Sequence, residues 1–178
     1  MTDVRELYLE DTLRDGRTIV IRATKADDRD RIRTAFSKLE RQAIYTRWFS
    51  HKKELSEFEL EEITEPDFET MVPLVATLME DGEEMVIAGS RYMAYEGAHG
   101  IRAAEIAFTV EEEFQGYGLA SRLLAELVNI ARTKAIVRFE ADVLPKNKTM
   151  LKVFEKSGMP MTLSREDGHI HVMLDLDR

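Results

Sequence analysis

Phe108-Thr109-Val110-Glu111-Glu112-Glu113-Phe114-Gln115-Gly116-Tyr117-Gly118-Leu119-Ala120 is the stretch on which the fold of this chain turns. The apolar residues at its start close a strand. Two glycines then make a loop, and a helix opens behind Gly118. In that helix Leu123, Leu124, Leu127, Val128 and Ala131 recur at helical spacing. The first turn of a helix presents backbone N–H groups without partners and the positive end of the dipole, which suits phosphate oxygens. Gly116 and Gly118 can take positive φ and bring the main chain close to such a ligand. Ala120 is small enough to keep the helix near a sheet. A tight strand-to-helix turn would use the same glycines, so the pattern alone leaves both readings open. A dinucleotide loop fits poorly, because Ser121 stands where a third glycine belongs and the preceding strands read as antiparallel. Glu111, Glu112 and Glu113 would oppose a phosphate, and they are expected to face solvent.

Upstream, residues 7–13 and 18–22 read as a hairpin around Asp15-Gly16. Residues 26–39 read as a helix with Ile32, Ala35, Phe36 and Leu39 on one face. A second helix is expected over 42–49, and a third over 56–63 behind the capping box of Ser56 and Glu59. Residues 72–79, 84–94 and 101–110 read as an antiparallel meander turned by Asp81-Gly82 and by the glycines at 97 and 100. Downstream come a strand over 136–144, then a helix over 147–156 closed by Gly158. A last strand pair, 159–163 and 169–176, surrounds Asp167-Gly168. The class is α+β: a mixed sheet of about seven strands flanked by helices.

The chain has 178 residues, 44% hydrophobic and 33% charged, which suits one globular domain over 1–178. No run approaches the ~20 apolar residues of a membrane span. Charges at the start of the chain, where an export signal needs an apolar run, point to the cytoplasm. With no cysteine there is no disulfide, thiolate metal site or cysteine nucleophile. A net charge of −9 argues against nucleic acid. It is compatible with a cationic acceptor, or with nothing more than solubility.

Gln115-Gly116-Tyr117-Gly118-Leu119-Ala120 resembles the signature of the GNAT N-acetyltransferase superfamily: Gln or Arg, two residues, Gly, one residue, then Gly or Ala. Val110 sits where the family's fourth strand usually ends. The strand through 137–143, then Asn147, then Gly158 resembles the family's strand, Asn-initiated helix and closing glycine. Together the match runs over roughly 19–173. Within the superfamily the chain is similar to the acetyltransferase domain of Pat-type bacterial protein lysine acetyltransferases. The segments that carry this are 13–22, Tyr45-Thr46-Arg47-Trp48-Phe49-Ser50 with Glu54-Leu55-Ser56, and Ala104-Glu105-Ile106-Ala107-Phe108. The resemblance implies acetyl-CoA as cosubstrate and acetyl transfer to a primary amine, such as a protein lysine. It implies that the amides of Gln115, Gly116, Tyr117, Gly118, Leu119 and Ala120 hold the pyrophosphate. Phe108 and Val110 would pair with the pantetheine arm, and Asn147 would border its thiol end. A homodimer is left open.

Transfer to an amine needs a base, because an ammonium must first lose its proton. Glu105, alone among the apolar residues of its strand, is the candidate, on the expectation that a desolvated cleft raises its pKa. It also matches the Glu proposed as base in Pat-type domains. The competing reading pairs it with Arg91 or Arg102. Phe154 stands where many relatives of this superfamily carry a tyrosine that acts as acid. A CoA-binding module without catalysis and a small-molecule amine acetyltransferase are therefore the alternative functions. Asn147 serves equally as a helix cap. His169 and His171 share one side of a strand at metal-ligand spacing, but no third ligand is evident beside them, so no metal is expected. Tyr45, Trp48 and Phe49 read as core or as an acceptor border, and Met150, Met159, Met161 and Met173 as core filler.

Overall fold

A computed structural model describes residues 3–39 and 55–177. The helix expected over 42–49, with Tyr45, Trp48 and Phe49, lies outside the described residues. The described strands form one eight-stranded mixed sheet in the order β1-β2-β3-β4-β5-β6-β8-β7, one strand more than the seven expected.

β1 (Tyr8–Thr12) and β2 (Thr18–Ala23) make the hairpin, and Gly16 takes φ +94° in its turn. β3 (Met71–Glu80), β4 (Glu83–Glu96) and β5 (Arg102–Val110) extend it as an antiparallel meander. A parallel neighbour requires a crossover. The helix α3 (Leu119–Thr133) supplies it, bringing β6 (Arg138–Val143) alongside β5 in parallel. The helix α4 (Lys148–Lys156) follows, and the chain closes with the hairpin of β7 (Met161–Glu166) and β8 (His169–Asp175). β8 rather than β7 lies against β6, an order that the hairpin sequence does not specify.

Alternation divides the sheet residues between two apolar layers. Leu74, Ala76, Ala88, Tyr92, Ala104, Ile106 and Phe139 join Leu119, Leu123, Leu124 and Leu127 of α3 in the main core. The Tyr92 and Phe139 rings lie 5.9 Å apart there. Each such leucine withdrawn from water contributes about 1.5–3 kcal/mol. On the other face Val75 and Val86 meet Ile32 and Phe36 of α1 (Arg29–Ser37) and Leu60 of α2 (Glu57–Thr64).

The α1 helix starts later than the sequence periodicity suggests. Ala26–Asp28 form a 3-10 turn instead, because Asp28 is drawn beneath the sheet. Both its oxygens accept from the Arg22 guanidinium at 2.7 and 2.8 Å, and Glu84 meets the same guanidinium at 3.0 Å. The α2 helix starts as read. Ser56 Oγ accepts from the Glu59 amide at 3.1 Å, and the Glu59 carboxylate accepts from the Ser56 amide at 3.2 Å.

Candidate active site

β5 and β6 are paired only from Ala103 with Arg138 to Glu105 with Glu140. Beyond that point β5 stays with β4 and β6 stays with β8, so the sheet forks. The fork opens a cleft walled by Glu105, Ile106, Ala107 and Phe108 on one side and by Ala141, Asp142 and Val143 on the other. Asn147, Met150 and Phe154 of the α4 segment close its floor. Three of the residues expected at the site, Glu105, Phe108 and Asn147, thus meet in one cleft. The Phe108 and Phe154 rings touch edge to face, with centroids 6.1 Å apart. Asn147 Oδ1 accepts from the Met150 amide at 3.3 Å, so this side chain does cap its helix.

Glu105 shares its sheet face with Ala107, Met93 and Arg91, since it stands opposite Met93 and Ala107 opposite Arg91. Arg102 has the other parity, and its guanidinium reaches the Glu69 carbonyl. Among the described residues Glu105 makes no hydrogen bond or ion pair with either arginine. Its carboxylate lines the cleft and is exposed. The expectation of a desolvated carboxylate is therefore corrected: the fork opens to water at this residue.

The glycine loop lies at the far end of β5. Gly116 and Gly118 adopt φ +83° and +81°, and Gly118 is the N-cap of α3. No side chain caps that helix end and no acid occupies its first turn. The N–H groups of the turn therefore face outward with the positive dipole end and no competing carboxylate. A Cβ added at Gly118 would meet nothing within 4 Å, so positive φ, not crowding, calls for glycine. Leu119 is buried beneath the loop, with Ala120 half-buried beside it. The exposed Gln115 folds back along the loop: its side-chain amide donates to the Val110 carbonyl at 3.3 Å and ties the loop to the end of β5.

The N-terminal hairpin clasps the same loop, a contact that the sequence did not reveal. The Arg14 guanidinium lies 4.9 Å from the Tyr117 ring centre, and the Arg17 guanidinium 4.8 Å from that of Phe114. Arg122 of α3 pairs with Asp11 at 2.8 Å and reaches the carbonyls of Tyr117 and Thr12. The contacts of Arg14, Arg17, Asp11 and Thr12 with this loop and helix join residues about a hundred positions apart, and no local pattern carries them.

Two further expectations change. Glu112 and Glu113 face solvent, but Glu111 is buried and its Oε2 has no hydrogen-bond partner among the described residues. Burial pushes its carboxyl above the ordinary range, which Lys38 opposes and Glu113 reinforces. The histidines do have carboxylates beside them, supplied by β6. His171 Nδ1 meets Asp142 at 2.8 Å, its Nε2 meets Glu140 at 3.2 Å, and His169 meets Asp142 at 3.1 Å. Burial would lower the His171 pKa, but the bonds to Asp142 and Glu140 outweigh it and raise it. Both ring nitrogens of His171 are engaged, and no cluster among the described residues has the geometry to hold a metal ion.

Comparison with known proteins agrees with this geometry. The family model described as an acetyltransferase (GNAT) domain matches residues 18–160. Acetyltransferase Pat of Mycolicibacterium smegmatis is 31% identical over 165 residues, covering 93% of this chain and 47% of that protein. Acetyltransferase PA5475 of Pseudomonas aeruginosa is 32% identical over 124 residues, covering 68% of this chain and 64% of that protein. The chain thus spans about half to two thirds of the length of these curated relatives. The crystal structure of the GNAT domain of S. lividans PAT superposes with a TM-score of 0.84 at 34% identity, covering 98% of this chain and 99% of that one. The chain belongs to the GNAT acetyltransferase family.

Proposed function

We propose that the chain transfers the acetyl group of acetyl-CoA to a primary amine, with a protein lysine as the finer reading. The observation that carries this is the fork: an unpaired strand edge that leads from an uncapped, acid-free helix start to a free carboxylate. The loop residues Gln115, Gly116, Tyr117, Gly118, Leu119 and Ala120 would hold the pyrophosphate through backbone donors. The open space over Gly118 and the uncapped first turn of α3 fit that role. The edge of β5 at Phe108 and Val110 would hold the pantetheine arm, with Asn147 at its thiol end. Bound there, acetyl-CoA supplies the activated acyl group.

The rest falls to this chain's residues. Glu105 projects into the cleft, where it would take the ammonium proton directly or through water. Phe108 and Phe154 keep one wall of the cleft apolar. Phe154 is 1% exposed and has no proton to give, so the thiolate would be protonated from solvent. The same phenylalanine favours a second reading, a CoA-binding module without turnover.

The test pairs calorimetric titration of acetyl-CoA with a transfer assay on amines, amino acids and lysine-bearing proteins. Binding with turnover is the expected result. Binding without turnover on any acceptor would select the second reading, and no binding would remove both.

A further inference from the structure

We propose that Arg91 binds a carboxylate carried by the acceptor itself, so that the site selects amines with an acid close by over bare amines. This rests on the acetyl-transfer reading of the cleft.

Arg91 stands at the junction of two spaces. One is the cleft at the fork. The other is an open cavity on the α1 and α2 side of the sheet. The walls of that second space include the apolar Phe36, Ile63, Val75 and Ala107, and among the described residues its one carboxylate, Glu111, makes no ion pair with Arg91. Among the described residues the Arg91 guanidinium has no hydrogen bond and no ion pair, and burial pushes its pKa down. Glu62, Glu105 and Glu59 attract it only through space.

Arg22, on the same sheet face, shows the contrast, since Asp28 and Glu84 close its guanidinium completely. Arg91 is half-buried, and a cation in that position without a bonded anion is poorly compensated. Its planar guanidinium matches the geometry of a carboxylate, held through two parallel bonds.

The sheet register places this fork with respect to the base. Arg91 is opposite Ala107, and Glu105 is opposite Met93. Arg91 and Glu105 are therefore diagonal neighbours, roughly 7–8 Å apart along the sheet. An acceptor whose ammonium meets Glu105 can reach Arg91 with a carboxylate a few bonds away. The acids around Arg91 disfavour a pure anion, and Arg91 disfavours a pure polycation, so an acceptor bearing both charges fits best. The carboxylate has two sources: the α-carboxylate of a free amino acid, or an acidic side chain beside a lysine in a polypeptide.

The experiment compares kcat/KM on two matched pairs, an amino acid against its amide, and a single-lysine peptide flanked by Glu against the same peptide flanked by Gln. The parent should prefer the carboxylate member of one pair by about 10- to 100-fold, the size of a hydrogen-bonded charge contact, and the pair that responds names the source. Arg91→Met should bring that ratio close to one through KM, with Arg91→Lys between the two. If Arg91→Met does not fold, Arg91→Lys carries the comparison, since it keeps the charge and loses the fork. A parental ratio near one in both pairs overturns the proposal. So does a ratio that survives substitution, or a simple diamine that outruns every carboxylate acceptor. Calorimetry on the parent separates the two levels: absent acetyl-CoA binding strikes the underlying reading, whereas intact binding without carboxylate preference strikes the Arg91 site alone.

Discussion

Single side chains at the fork make separable predictions. Glu105→Gln keeps the size of the side chain and removes its capacity to accept a proton. The turnover number should fall by about 10²–10⁴, the usual contribution of a positioned base, with little change in the KM for acetyl-CoA. The loss should shrink as the pH rises, because more of the amine is then already neutral. A pH–rate profile of parent and variant, with melting curves as control, checks this, and a stable variant with parental turnover at neutral pH would remove Glu105 from the mechanism. At the other end of β5, Gly118 holds φ +81° in open space. Gly118→Val should cost about 1–3 kcal/mol in backbone strain and weaken acetyl-CoA binding by placing a branched side chain over the helix start. Denaturant melts and calorimetry read the two effects independently. If this variant binds acetyl-CoA as the parent does, the phosphate site lies elsewhere.

At the level of elements, the entry to α1 is held by charge. Asp28 is fully buried, and its carboxylate meets Arg22 from β2 and Arg31 from α1 itself. Burial would raise its pKa, but the bonds from Arg22 and the Lys25 amide outweigh that and hold it below the ordinary 3.8. A depressed folded-state pKa contributes stability that is present above the unfolded value and lost as the pH falls through the folded one. Stability should therefore decline below about pH 4, where this carboxylate takes up a proton in the unfolded chain before it does so in the folded one. Asp28→Ala should cost about 1.5–3 kcal/mol at neutral pH, because it removes the charged hydrogen bonds to Arg22 and leaves that buried cation to Glu84 alone. The gap between parent and variant should narrow in acid. Urea melts of both proteins between pH 7 and pH 3 measure it, and a gap that is independent of pH would show that the pair contributes packing alone.

For the whole molecule, the cofactor reading predicts linkage between ligand and fold. A ligand at 100 times its Kd that binds only the folded state adds about 2.7 kcal/mol, which raises the melting temperature by several degrees in a chain of this size. The hairpin of β1 and β2, the glycine loop and the start of α3 are tied by Arg14, Arg17 and Arg122. Acetyl-CoA should therefore protect amides of this hairpin from hydrogen exchange as well as those of the loop. Thermal unfolding with and without millimolar acetyl-CoA is the first measurement. An unchanged midpoint, with no calorimetric signal, would contradict the cofactor assignment.

What the sequence by itself determined here is what local physics encodes. Apolar stretches between glycine-bearing turns marked the strands, 3.6-residue spacing marked α3, and Asp-Gly pairs marked the turns. The Ser56–Glu59 capping box, the positive φ at Gly116 and Gly118 and the parallel crossover follow from residues close in the chain. The same locality made Gln115 to Ala120 and Glu105 readable as site candidates. Only the tertiary structure decided the rest. It placed β8 inside the sheet edge and set Asp142 and Glu140 against the histidines. It buried Glu111 while leaving Glu105 in water, and left Arg91 without a bonded partner among the described residues. Burial and pairing across the sheet depend on which strands become neighbours and where they part. The splitting of β6 from β5 after Glu105 is a property of the assembled sheet, and no segment of the chain carries it alone.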